Sequence, residues 1–220
     1  MELFEAMSTC RSIRRFRPDP VDECVLWQCL KAAGYAPSGS NAQPWRIIVV
    51  NSDEARALLG PAYRKGAAWS MGIYGVTRPP DDDNSRRARM TRSMFELVDN
   101  FESIPYYVMF LTELWDNLPD HLAGSAVYPA VHNFMLAARS FGLGTVPTMW
   151  FMECEDELRA LLEIPEMWHI AALMPLGYPK GRHGPLHRRP IEELVHWNRF
   201  GDHRPAPEGL ELPGAIEKSR

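Results

Sequence analysis

The sequence has few of the signatures by which proteins perform chemistry unaided. Its 220 residues hold four cysteines, Cys10, Cys24, Cys29 and Cys154, with no CxxC pair. Neither a zinc site nor a disulfide framework is therefore indicated, and Cys24 and Cys29, five apart in a helical pattern, read as packing residues. The seven histidines show no HExxH spacing, and His183 and His187 lie in a Gly/Pro-broken stretch that cannot hold helical geometry, so no metal is expected. A net charge of −4 lacks the basic excess of a nucleic-acid binder. No run approaches the ~18–20 apolar residues of a membrane span. The N-terminus has no basic segment leading into an apolar one, and a cytoplasmic protein is expected. Walker loop, nucleophile elbow, Cys-His signature and paired-carboxylate motif are all missing. Gly142-Leu143-Gly144 follows a helix instead of opening one, which rules out a dinucleotide-binding turn. A chain without its own catalytic constellation points to chemistry carried by a cofactor.

What the sequence does have is a stiff polar loop and two arginine clusters. Tyr35–Trp45 joins a helical stretch to a strand. Pro37 and Pro44 restrict it, and Gly39 is expected to take dihedrals closed to other residues and to let a ligand approach the backbone. Ser38, Ser40, Asn41 and Gln43 supply donors and acceptors. Cys10–Pro18 carries Arg11, Arg14, Arg15 and Arg17, with Ile13 and Phe16 between them tying the segment to the protein body. A second cluster, Arg188-Arg189, lies near the other end of the chain. If the two converge, they can clamp a phosphate dianion through charge-assisted hydrogen bonds.

The element pattern fits one domain over 1–201 and an extension over 202–220. Helices are expected at 2–10, at 23–35 with Asp22 as N-cap, at 53–60 ended by Gly60-Pro61, at 125–141, and at 155–163. Strands are expected at 46–51, covered on both faces, at 105–112, and at 169–177, where Pro175 suggests an edge or bulge. Residues 62–95, with scattered aromatics and Pro79–Asn84 at a tip, read as an irregular connection serving as a lid.

Arg11-Ser12-Ile13-Arg14-Arg15-Phe16 and Ala36–Trp45 resemble the opening motifs of the FMN-dependent nitroreductase family. Gly142–Thr145 is similar to its central motif, and Gly177-Tyr178-Pro179 with Arg188-Arg189-Pro190 to its C-terminal one. The resemblance implies an α+β fold, a mainly antiparallel sheet flanked by helices, in an intertwined homodimer with FMN at the interface. It implies that Arg11, Ser12, Arg14 and Arg188 hold the FMN phosphate and ribityl chain. Pro37, Ser38, Gly39 and Asn41 line the flavin, and Pro147, Thr148 and Met149 run past its ring. Pro147 has no N–H, which leaves Thr148 and Met149 as donors there. The family often has a basic residue where this chain has Cys10, so the clamp is one charge lighter at that position. The implied activity is ping-pong reduction of nitroaromatics or quinones by NADH or NADPH. The rivals are a reductive dehalogenase or flavin-fragmenting oxygenase on the same fold, a non-catalytic FMN-binding protein, and a structural dimer with an empty pocket.

Overall fold

Strand β2 (Tyr106–Glu113) is the spine of the molecule, and its alternation divides the core in two. Val108 and Phe110 point to one face, and Tyr107, Met109 and Leu111 to the other, as the two-residue period of a strand requires. The structure is a computed structural model that describes residues 1–114, 120–181 and 183–216. Arg182 of the turn-rich loop and residues 217–220 of the extension lie outside the described residues.

β1 (Trp45–Val50), β2, β4 (Trp168–Gly177) and β3 (Gly144–Thr145) form a single antiparallel sheet in the order β1-β2-β4-β3. One face is covered by α2 (Glu23–Ala33) and α5 (Asp120–Ser140), which contribute Leu26, Cys29, Val127, Val131 and Phe134. The other face is covered by α3 (Asp53–Ile73), α4 (Arg86–Asp99) and α6 (Glu155–Leu161) through Leu59, Tyr63, Leu97 and Leu158. Helix α1 (Leu3–Thr9) packs beside α5. The α+β architecture with a mainly antiparallel sheet is as expected. Asp22 caps α2 by accepting from the Cys24 N–H at 2.7 Å.

Four local expectations are corrected. The first concerns α3, which does not stop at Gly60-Pro61 but continues to Ile73. Pro61 lies on the exposed side, while Ala62, Tyr63, Ala67, Ser70 and Met71 beyond it are buried; their burial outweighs the missing hydrogen bond. The second concerns 62–95, which is largely helical, made of the end of α3 and of α4, the latter capped by Ser85 accepting from Ala88 N–H at 3.1 Å. The third concerns β1, an edge strand with Arg46 exposed and Ile47, Ile48 and Val49 only half-buried. The fourth concerns Pro175, which lies in the interior strand β4 opposite Tyr107, while the bulge falls at Ala171, skipped between Phe110↔Ala172 and Leu111↔Ile170. Proline is tolerated there because β3 pairs only with Leu176 and Gly177 and a single bridge joins Thr148 to Leu173, so no ladder partner on that side needs its N–H.

The chain after Gly177 returns to α1: Leu186 N–H donates to Ser8 O at 3.2 Å, and Ile216 N–H to Ser8 Oγ at 2.9 Å. Among the described residues no helix is long and apolar enough to cross a membrane, and no cluster of metal-ligating side chains is present.

Candidate functional site

The arginine-rich segment extends the sheet beyond β3. Ser12 bridges Thr145 in parallel, Ile13 N–H donates to Thr145 O at 3.0 Å, and Arg17 N–H to Tyr178 O at 2.9 Å. Ile13 is buried against Gly144, where a Cβ would come within 2.7 Å of its Cγ1. That close approach explains a glycine in the central motif. Phe16 is half-buried beside Gly177. The two apolar side chains pin the segment and leave Arg11, Arg15 and Arg17 outward, with Arg14 half-buried.

Cys10, Arg11, Arg139, Thr145, Tyr178 and His183 are among the residues lining a cavity of about 460 Å³, within the ~300–1,000 Å³ typical of small-molecule sites. Arg11 Nη1 donates to Gly184 O at 3.3 Å and Arg188 Nη1 to the carbonyl of His187 at 3.1 Å. Arg15 pairs with Glu96 and Arg17 with Asp19, each at 3.0 Å. Arg11, Arg14, Arg139 and Arg188, by contrast, have no carboxylate partner among the described residues. The Thr145 hydroxyl is buried and makes no hydrogen bond, a deficit that a folded chain rarely carries without a ligand or water to meet it.

The titrating groups register the same positive field. Burial pushes the Cys10 thiol up, with Arg139 and then Arg188 pulling against it. The His183 imidazole is held below its ordinary value by partial burial and by Arg11 and Arg15. Arg14 is lowered by burial, opposed by Tyr63 and reinforced by Arg11. An anion seated here would relieve the penalty on positive charge at His183 and Arg14, and would push the Cys10 thiol further up.

Pro147–Met149 follows directly from β3. Thr148 is buried, and its hydroxyl meets Tyr63 Oη at 2.9 Å and accepts from Trp150 N–H at 3.4 Å. Its N–H donates to Leu173 O at 3.0 Å. Thr148 is thus committed to the protein interior, while the N–H of exposed Met149 has no acceptor among the described residues. Tyr63, stacked on Phe101 with ring centroids 3.7 Å apart, braces this turn from α3.

The polar loop is rigid for a reason other than the one expected. Ser40, Asn41 and Gln43 take the left-handed conformation, with φ of 52°, 54° and 49°, whereas Gly39 does not. Ser38 Oγ accepts from Gln43 N–H at 2.9 Å, and Gln43 Nε2 donates to Asn41 Oδ1 at 3.2 Å. Pro37, Gly39 and Asn41 are exposed. Within one protomer this loop does not meet the arginines. It precedes β1 at the Thr112 end of β2, whereas Ser12 joins Thr145 opposite Leu176 at the Tyr106 end. Three strand spacings of about 4.8 Å and about 20 Å along the strands put the two groups at opposite corners of the sheet.

Sequence reasoning missed Arg139, Thr145 and Tyr63. Arg139 left one signal: it is the single Lys or Arg, with no Asp or Glu, in the run 125–141.

Fold and site together define an α+β protomer with an anion-seeking cavity at the margin of its sheet. The chain belongs to the nitroreductase family of oxidoreductases, whose sequence profile matches residues 8–178. It is 30% identical over 203 residues to a Thermus thermophilus protein described as NADH dehydrogenase, covering 85% of this chain and 91% of that one. It is 28% identical to the 5,6-dimethylbenzimidazole synthase of Rhodospirillum rubrum, covering 84% and 82%. Among solved structures, an iodotyrosine deiodinase bound to FMN and 3-iodo-L-tyrosine superposes with a TM-score of 0.70 at 24% identity, covering 90% of this chain and all of that one. The protomer has the nitroreductase-like fold.

Proposed function

We propose that the protein is an FMN-dependent NAD(P)H oxidoreductase that reduces electron-poor acceptors such as nitroaromatics and quinones, working as a homodimer. The observation that carries the reading is that Arg11 and Arg139 line the cavity with no carboxylate partner among the described residues. A phosphate monoester is the anion that answers it, because guanidinium forks bind its oxygens in bidentate fashion. The chain's own residues fit FMN. Arg11, Arg14 and Arg188 neutralise the phosphate, and Ser12, exposed beside them, offers a hydroxyl to the ribityl chain. Pro147, Thr148 and Met149 form the wall along the flavin ring, Thr148 by fixing the turn and Met149 by presenting its free N–H where negative charge develops. Pro37, Ser38, Gly39 and Asn41 line the flavin of the partner copy. Bound FMN supplies the hydride acceptor and donor that the side chains lack.

A second copy also meets two needs of the protomer. The half-exposed edge β1 borders an apolar groove of about 950 Å³ with α2, and Ile191, Leu194, Trp197 and Phe200 stand exposed on the segment after the site. Exposed edges and apolar patches of this kind are normally covered. The lid role falls to the 74–85 connection and α4, held to the cofactor segment by the Arg15–Glu96 pair at 3.0 Å.

The test is direct. The purified protein should be yellow or take up FMN. Anaerobic NADH or NADPH should bleach the flavin band, and a nitroaromatic or quinone should restore it with ping-pong kinetics. Arg11→Ala or Arg188→Ala should each weaken FMN binding by about 1.5–3 kcal/mol, the scale of a hydrogen bond to a charged group. A colourless protein that takes up no FMN overturns the proposal. Bleaching without reoxidation by either acceptor class moves the assignment to another flavin reaction on this fold, and absence of bleaching moves it to a flavin-binding protein.

A further inference from the structure

Arg139 occupies the last turn of α5, where a cation is ordinarily explained by the negative end of the helix dipole. Its contacts point elsewhere. Nε donates to Thr9 Oγ1 at 2.9 Å, and that hydroxyl in turn donates to Glu5 O at 2.6 Å. The guanidinium is therefore aimed by α1, across the gap between the helices, at the cavity it lines together with Cys10, Arg11 and the unpartnered Thr145 hydroxyl. Thr9 is buried, so the aiming contact is sheltered from water. No carboxylate among the described residues pairs with Arg139. A fixed, partly buried cation with no counterion is costly unless a ligand provides one.

We propose that Arg139 is a phosphate-clamp residue, delivered from α5 to the place where Cys10 contributes no charge, and that Thr9 is the positioning residue that aims it. The inference rests on the FMN reading and deepens it. The charge absent at position 10 is restored from a different element, so the clamp keeps its strength with a different geometry. The field at the Cys10 thiol agrees, since Arg139 heads the charged groups acting on it.

The experiment titrates flavin-free, full-length protein with FMN and with riboflavin, which lacks the phosphate, and follows quenching of flavin fluorescence. Arg139→Gln should weaken FMN binding ~10–100-fold, one charge-assisted hydrogen-bonding group, and leave riboflavin within about threefold. Thr9→Val should give a smaller loss, also confined to FMN. Cys10→Lys in the Arg139→Gln background should recover much of the FMN affinity. Should Arg139→Gln fail to fold, Arg139→Lys gives the same readout, with a smaller FMN-specific loss expected. Unchanged FMN affinity in the variant, or equal loss of FMN and riboflavin, overturns the role of Arg139 while the flavin assignment stands. A wild-type protein that binds neither flavin overturns both.

Discussion

The four thiols occupy different environments and should behave differently. Cys24 is exposed, whereas Cys29 and Cys154 are buried in the two halves of the core. Burial pushes Cys29 from an ordinary 9.0 up to about 12, and burial followed by Glu157 pushes Cys154 up to about 11. Because the thiolate is the reactive form, iodoacetamide at pH 8 should label Cys24 in the native protein and spare Cys29 and Cys154 until denaturant is added. Mass spectrometry of the peptides decides it, and early labelling of Cys29 contradicts the packing described. The same shifts set a pH dependence. Above about pH 9 the unfolded chain releases thiol protons that the folded chain retains, so these groups contribute stability that is complete below 9 and declines through 11–12. Tyr107, raised mainly by burial, extends the effect in the same direction. Urea midpoints should fall between pH 8.5 and 11; a flat profile would show that the buried groups titrate as in water. Tyr63→Phe removes one partner of Thr148 but leaves the Trp150 N–H bond, so it should cost about 0.5–1.5 kcal/mol by denaturant titration.

At the scale of elements, α3 shows how local rules and long-range contacts divide the outcome. Gly60-Pro61 reads as a stop, yet the helix runs through it because the residues beyond it are buried, and both of its glycines before the last turn lie at close contacts. A Cβ at Gly66 would overlap the backbone carbonyl of Trp150, and one at Gly60 the carboxylate of Glu102. Gly66→Ala should therefore cost about 1–3 kcal/mol, as overpacking does, since a carbonyl cannot swing aside. Gly60→Ala should cost less, because the Glu102 side chain can move, although that movement disturbs its pair with Arg64 at 2.6 Å. Gly72, with open space around it, should gain up to about 1 kcal/mol on replacement by alanine. Thermal melts of the three variants give the order, and a reversed order would remove the packing explanation. The elements that the sequence pattern identified are α2 and α5, which carry apolar residues at helical spacing, and β2 and β4, which are continuous apolar runs buried along nearly their whole length. Those it misread depend on partners distant in sequence: Trp150 and Glu102 for α3, the missing neighbour for β1, and the short reach of β3 for Pro175. The site divides likewise. Arg11, which lines the cavity, was legible because like charges cluster along the chain. Arg139 was not, because only the packing of α1 on α5 brings it to Cys10.

At the scale of the whole molecule, the positions of the site residues make a demand that a single protomer cannot meet. The polar loop and the arginine segment lie at opposite corners of one sheet, separated across β1, β2, β4 and β3 and along their length. On the proposed reading both meet one flavin, and each complete site then takes its arginines from one copy and its loop from the other. Two inactive variants test this. Arg11→Ala, Arg14→Ala, Arg139→Gln and Arg188→Ala combined remove the clamp. Gly39→Trp blocks the loop without disturbing its own protomer, since nothing lies within 4 Å of the Gly39 Cβ position. Each variant alone should retain no FMN. In a mixed dimer, purified through different tags on the two subunits, one site combines both lesions and the other combines an intact clamp with an intact loop. The mixed dimer should therefore carry one FMN, read from its absorbance against protein concentration. If each protomer instead built its site alone, every site in the mixture would carry a lesion and the mixed dimer would be colourless.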